Sequence, residues 1–105
     1  MTSITTASFK DYISRLSSRM KESGQFGTAR NYVRAKNSFT RFLKSSQTGN
    51  TEIDEKLICA YSDYLIGLGL VRNTTSFYMR ILRSAYNKAV SEGLGEQTMP
   101  FRKVY

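Results

Sequence analysis

A chain of 105 residues suffices for one compact domain around one core and is too short for two. Its 40% hydrophobic and 12% aromatic content belongs to a folded globular domain, not a disordered tail, and no apolar run approaches the ~20 residues that span a bilayer. Sixteen Lys and Arg against eight Asp and Glu give a net charge of +8 and a pI near 9.9, which favours an anionic partner: nucleic acid, acidic membrane or acidic protein.

Apolar period and punctuation predict four helices, and no segment alternates long enough to argue a strand. The first is expected over about residues 9–23, capped by Ser8 with Asp11 in capping-box register. Phe9, Tyr12, Ile13, Leu16 and Met20 share its inner face, and Gly24 ends it in a left-handed cap. The second is expected over about 28–45, with Thr28, Tyr32, Ala35, Phe39, Phe42 and Leu43 inside. The polar SSQTGNT stretch, residues 45–51, reads as a loop. The third is expected over about 53–67. Its acidic start suits the helix macrodipole; Leu57, Ala60, Tyr61, Tyr64, Leu65 and Leu68 line its inner face; Gly67 and Gly69 break it. The fourth is expected over about 73–92, with Tyr78, Ile81, Leu82, Ala85 and Ala89 inside and Gly93 at its end. Pro100, in Met99-Pro100-Phe101, stops further helix. The short links between helices one and two and between three and four predict two packed hairpins. The fold class is all-α, one four-helix domain over residues 1–105.

The chain offers little for chemistry. It has no histidine, so the commonest general base and metal ligand is missing. One cysteine and scattered carboxylates make no zinc spacing, and neither GxxxxGK[ST] nor GxGxxG occurs. Cys59 sits in a helical pattern beside Ile58 and Ala60 and reads as a buried small hydrophobe with no base to activate it. No catalytic residue, metal or cofactor is expected. The opening MTSITTASFK lacks the basic start and apolar run of a signal peptide, and a single cysteine allows no intrachain disulfide, so an intracellular setting fits.

The polar faces of helices two and four carry the strongest signal. Opposite the core of helix two lie Arg30, Arg34, Asn37, Arg41 and Lys44; opposite that of helix four lie Asn73, Ser76, Arg80, Arg83 and Asn87. The steps are three and four in both, and neither stripe contains a carboxylate. An ordinary solvated face mixes signs, because acid–base pairs at i,i+4 support the helix and limit self-repulsion. Arg outnumbers Lys five to one across the stripes, and the guanidinium fork suits phosphates and guanine edges. Asn37, Asn73, Ser76 and Asn87 add neutral hydrogen-bonding groups. Residues 51–70, by contrast, hold Glu52, Asp54, Glu55 and Asp63 against Lys56 alone, a net −3 that leaves +11 on the remainder. Against this stands the plain reading of two solvated basic faces. A membrane-surface reading has only Val33 and Met79 as flanking apolar candidates. The segments TARNYVR (28–34) and TTSFYMR (74–80) share Thr, Tyr and Arg at the same offsets. Thr28 and Thr74 thus stand near both helix starts, where hydroxyl and backbone amides suit a phosphate.

From helix two onward the order of motifs is FxRFLK, a polar loop, an acidic helix ending YxxYLIGLGL, and then NTTSFYMRILRSAYNKAVSEGL with a Pro-Phe close. With the pattern YLxxxGLxxNTxxxYxxxLRxxxNKAVxxG from Tyr64 to Gly93, this resembles the N-terminal core-binding, SAM-like domain of tyrosine recombinases, most nearly phage and conjugative-transposon integrases, over about residues 8–104. Where the family often closes with Asn-Pro-Phe, this chain has Met99. The resemblance implies a four-helix bundle that grips one side of double-stranded DNA near the cleavage site during integration and recombination, with helices two and four at the major groove. It carries the DNA-binding role to Arg30, Arg34, Arg41, Lys44, Arg80 and Arg83, and less strongly to Thr28, Asn73, Thr74 and Ser76. Lys88 lies nearer the core edge, where its stem can pack. The family's chemistry belongs to a C-terminal catalytic domain with a tyrosine that forms a 3′-phosphotyrosyl link. All seven tyrosines here read as core, edge or terminal residues, so the chain is expected to be a non-catalytic fragment, with Met1 and Tyr105 as the ends of a piece. The resemblance further implies a bacterial cytoplasmic setting at the nucleoid, a monomer when isolated and a tetramer on DNA for the full-length parent. The alternative is a helical protein–protein interaction module.

Overall fold

The computed structural model describes residues 3–104; Met1 and Tyr105, expected as chain ends, lie outside them. Four helices make up the fold: α1 (Thr6–Glu22), α2 (Phe26–Ser45), α3 (Glu55–Gly67) and α4 (Arg72–Ser91). Among the described residues the only β-type pairing is an antiparallel bridge between Thr5 and Glu52. The all-α expectation holds, and each helix ends within three residues of its predicted bounds.

Helix α1 starts earlier than expected. Thr5, not Ser8, is the N-cap: its hydroxyl accepts the Ser8 amide at 3.2 Å, and the Ser8 hydroxyl accepts the Thr5 amide at 3.1 Å. Ser8 is therefore the third helical residue of the capping box, and Asp11 instead pairs with Arg15 at 3.2 Å. The earlier start is fixed by a distant contact. The Ile53 amide donates to the Ile4 carbonyl at 2.8 Å and the Thr6 amide to that of Thr51 at 2.7 Å, which buries Ile4 and Ile53. Gly24 at φ +86° ends α1 as predicted.

The core is aromatic at its centre. Phe9 of α1, Phe39 and Phe42 of α2, and Tyr61 of α3 form a run of edge-on and tilted rings 5.2–6.1 Å apart. Tyr86 of α4 joins through Phe9 and then meets Phe101 of the tail. The buried Tyr61 hydroxyl is satisfied by Ser38 at 2.7 Å. Four tyrosines (Tyr12, Tyr32, Tyr61, Tyr86) are buried and two (Tyr64, Tyr78) half-buried.

Five predicted core positions move. Thr28 is exposed and Ala29 takes its place, while in α3 Ala60 and Leu68 are exposed and Ile58 is buried instead. Leu68 is the C-cap of α3 and stands at the α3–α4 turn, beyond the packed part of the helix. In α4 the buried arc is Met79, Leu82, Ala85, Tyr86 and Ala89, which leaves Tyr78 and Ile81 half-exposed. Met79 is 1% exposed, so the membrane-surface reading loses one of its two candidates. Cys59 is half-buried, not fully buried. No described helix is long and apolar enough to cross a membrane.

Candidate nucleic-acid interface

Helices α2 and α4 pack against each other, with the Tyr32 and Ser84 hydroxyls 2.8 Å apart at their contact. Their inner faces are pinned by Ala29, Tyr32, Ala35 and Phe39 on one and Met79, Leu82 and Ala85 on the other. That rotation turns every stripe residue outward. Arg30, Arg34, Asn37, Arg41 and Lys44 are exposed, as are Asn73, Ser76, Arg80, Arg83 and Asn87. Thr28 is also exposed, and Thr74 half-buried.

Several acidic residues are engaged away from the stripes. Glu92 accepts Arg19 through both carboxylate oxygens, at 2.8 and 2.9 Å, and the Tyr12 hydroxyl at 2.8 Å. This latch joins α1 to the end of α4. The Arg19 guanidinium, helped by the Tyr12 hydroxyl, pulls the Glu92 carboxyl down to about 2, while burial and the Glu92 carboxylate push the Tyr12 phenol up to about 12. Glu55 binds Arg102 and Lys103 at 3.2 and 3.4 Å, and Asp54 caps α3 by accepting the Leu57 amide at 2.8 Å. Among the described residues Arg30, Arg34, Arg41, Lys44 and Arg80 form no ion pair. Their field is therefore not neutralised locally.

The helix starts differ in the same sense. Thr5 and Asp54 cap α1 and α3 with side chains, but Gln25 and Val71, at the starts of α2 and α4, make no side-chain cap bond. Thr28 and Thr74 each stand third in their helix, so the shared offsets of TARNYVR and TTSFYMR reflect an equivalent place in two uncapped first turns. Such amides and the positive end of the dipole suit an anion.

Several neighbours were not foreseen. Lys88 is exposed, not tucked at the core edge, and with Arg80, Arg83, Ser84, Asn87 and Ser91 it lines an open groove along α4. The Arg34 guanidinium lies 5.6 Å over the Phe77 ring, a contact no helical wheel can show because it joins two helices. Asn87 accepts the Gln97 side-chain amide at 3.0 Å, so one end of the α4 stripe is engaged by the tail. Arg83 and Asn87 also border a cleft of about 190 Å³ against Gln97, Met99, Pro100 and Phe101. No cluster of metal-ligating side chains exists among the described residues.

A comparison with curated proteins found no match, and neither did one with solved structures. The family model of the phage integrase SAM-like domain matches residues 8–104, from inside the α1 capping box to the end of the docked tail. With nearly its whole length matched, and a bundle of four helices that agrees, the chain belongs to the phage integrase SAM-like domain family.

Proposed function

We propose that the chain binds double-stranded DNA as the core-binding domain of a tyrosine site-specific recombinase, gripping one side of the duplex near the cleavage site, with α2 and α4 at the major groove. The observation that carries this reading is the pair of exposed, carboxylate-free stripes on two helices packed together, while Asp54, Glu55 and Glu92 serve a cap and ion pairs elsewhere. Arg30, Arg34, Arg41, Lys44, Arg80 and Arg83 supply charge, Asn37, Asn73, Ser76 and Asn87 supply neutral donors and acceptors, and Thr28 and Thr74 stand at the uncapped helix starts. Strand cleavage falls to a catalytic domain of the parent protein, joined after the tail.

Phosphate contacts release counterions. With about five to eight of them, log K falls against log salt with a slope near −4.5 to −7. The test is an NMR titration of the labelled domain with a generic 20-base-pair duplex at low and moderate salt. Shifts concentrated on residues 28–44 and 72–87 that fade with salt support the reading. Flat spectra at low salt overturn it.

A second reading, a helical protein-interaction module, draws on Ile66, Leu68 and Val71, three large apolar residues 56–67% exposed around the α3–α4 turn. Shifts centred there, or on α3, favour that reading.

A further inference from the structure

Arg34 differs from the other stripe cations in what lies beneath it. Its guanidinium carbon is 5.6 Å from the centroid of the Phe77 ring, within the ~6 Å range of a cation–π contact. Phe77 is half-buried, and its ring is braced by that of Tyr78 at 5.6 Å. Tyr78 in turn packs against the core. A side chain of α2 thus rests on a platform built by α4, between Ser76 and Arg80 of the second stripe.

The platform has a chemical consequence. Arg34 donates no hydrogen bond and forms no ion pair among the described residues, so its N–H donors stay open beside the ring. A planar fork drawn to a ring loses less freedom when it forms two parallel hydrogen bonds. Arg30, Arg41, Lys44 and Arg80 have no ring beneath them among the described residues. Charges without such a support suit phosphate contacts, where direction matters less.

We infer that Arg34 is the residue through which the α2–α4 surface reads base identity, its fork taking the O6 and N7 acceptors of a guanine in the major groove, with Phe77 as the residue that positions it. The inference rests on the duplex-binding reading above and goes beyond it by dividing readout from grip. A bidentate arginine–guanine pair discriminates against the wrong base by about 5- to 150-fold.

The test is a selection by the 105-residue chain from 20-base-pair duplexes with randomised interiors. Affinities are then measured for the enriched duplex and its single-pair replacements. Arg34→Lys keeps the charge and removes the fork, Phe77→Ala removes the platform, and Phe77→Tyr retains a ring. The wild type is expected to enrich a G·C pair whose replacement weakens binding about 5- to 150-fold. Arg34→Lys and Phe77→Ala should each shrink that penalty to about twofold, with a loss on unselected duplex of no more than about threefold; Phe77→Tyr should restore it. A merely structural Phe77 would instead lower affinity for all duplexes alike, and circular dichroism melts identify a variant that fails to fold. Should Phe77→Ala unfold, the exposed Arg34→Lys carries the test. A guanine preference that survives Arg34→Lys overturns the inference, as does a uniform loss on every sequence. Binding by the wild type without base preference overturns it and leaves duplex binding intact, whereas no binding to any duplex overturns both.

Discussion

Helix α3 opens on Asp54, whose carboxylate holds the Leu57 amide, and its Glu55 gathers Arg102 and Lys103 from the tail. Helices α2 and α4 open on Gln25 and Val71, which cap nothing with their side chains, and carry Arg30, Arg34, Arg41, Lys44 and Arg80 without an ion-pair partner among the described residues. One region caps its first turn and pairs Glu55 internally. The other leaves amides and cations facing solvent. A helix that is uncapped and unpaired forgoes stabilisation of about 1 kcal/mol per cap and a few tenths per pair. Two such helices side by side are the surface on which the duplex-binding proposal rests.

Charge reversal should break this comparison most severely. Arg34→Glu with Arg80→Glu is expected to weaken duplex binding by more than about 100-fold at low salt, since two contacts become repulsions. Asp63→Lys on α3 should change affinity by less than about threefold, because it lies off the stripes. Fluorescence anisotropy with a labelled 20-base-pair duplex measures both.

Exchanging the caps should sharpen it. Asp54→Ala is expected to lower stability by about 1 kcal/mol and leave duplex affinity unchanged. Val71→Asp should do the converse: it supplies the missing cap of α4, raises stability by about 0.5–1 kcal/mol, and weakens binding by placing a carboxylate where a phosphate would sit. Urea melts and the anisotropy titration, run on the same preparations, separate the two effects.

A smaller effect is expected in the tail. Met99 has φ +53°, a left-handed conformation that a long unbranched side chain adopts at a cost and that Asn tolerates better. Met99→Asn should therefore stabilise the fold by about 0.5 kcal/mol, measurable as a raised urea midpoint. The smallest effect concerns acid, because the latch is exposed and screened. The Glu92 carboxyl is depressed to about 2 in the folded chain, so its contribution is present above the unfolded carboxylate range near 4.5 and is lost as pH falls from there through 2. Glu92→Gln should flatten the melting temperature across that window and lower it at neutral pH.

Much of this comparison was legible in the sequence. Steps of three and four placed both stripes opposite apolar faces, and every stripe residue is exposed because one rotation of a helix fixes both sides at once. What was not legible depended on partners. Ser8 and Thr5 are equally good caps by type, and contacts with residues 50–53, distant in sequence, decide for Thr5. Whether α4 buries Met79 and Tyr86 or Tyr78 and Ile81 depends on where α1 and the tail lie. Tyr86 is held there by Phe9, Phe101 and the Thr98 amide. The Phe77 platform under Arg34 is likewise a contact between helices, and no single-helix periodicity contains it.

The pairing of Ile4 with Ile53 has a kinetic consequence. Helix α1 does not pack directly on α3, so this short clasp ties their starting ends by backbone bonds across nearly half the chain. The α1–α2 and α3–α4 hairpins each close over short turns and form from local contacts; the clasp must wait until α2 has brought both halves together. It is a late-forming, early-opening seam. Amides of residues 6 and 53 should exchange with solvent sooner than those of Phe39 or Leu82, so the bundle loosens first at the end held by the clasp while its aromatic centre stays closed.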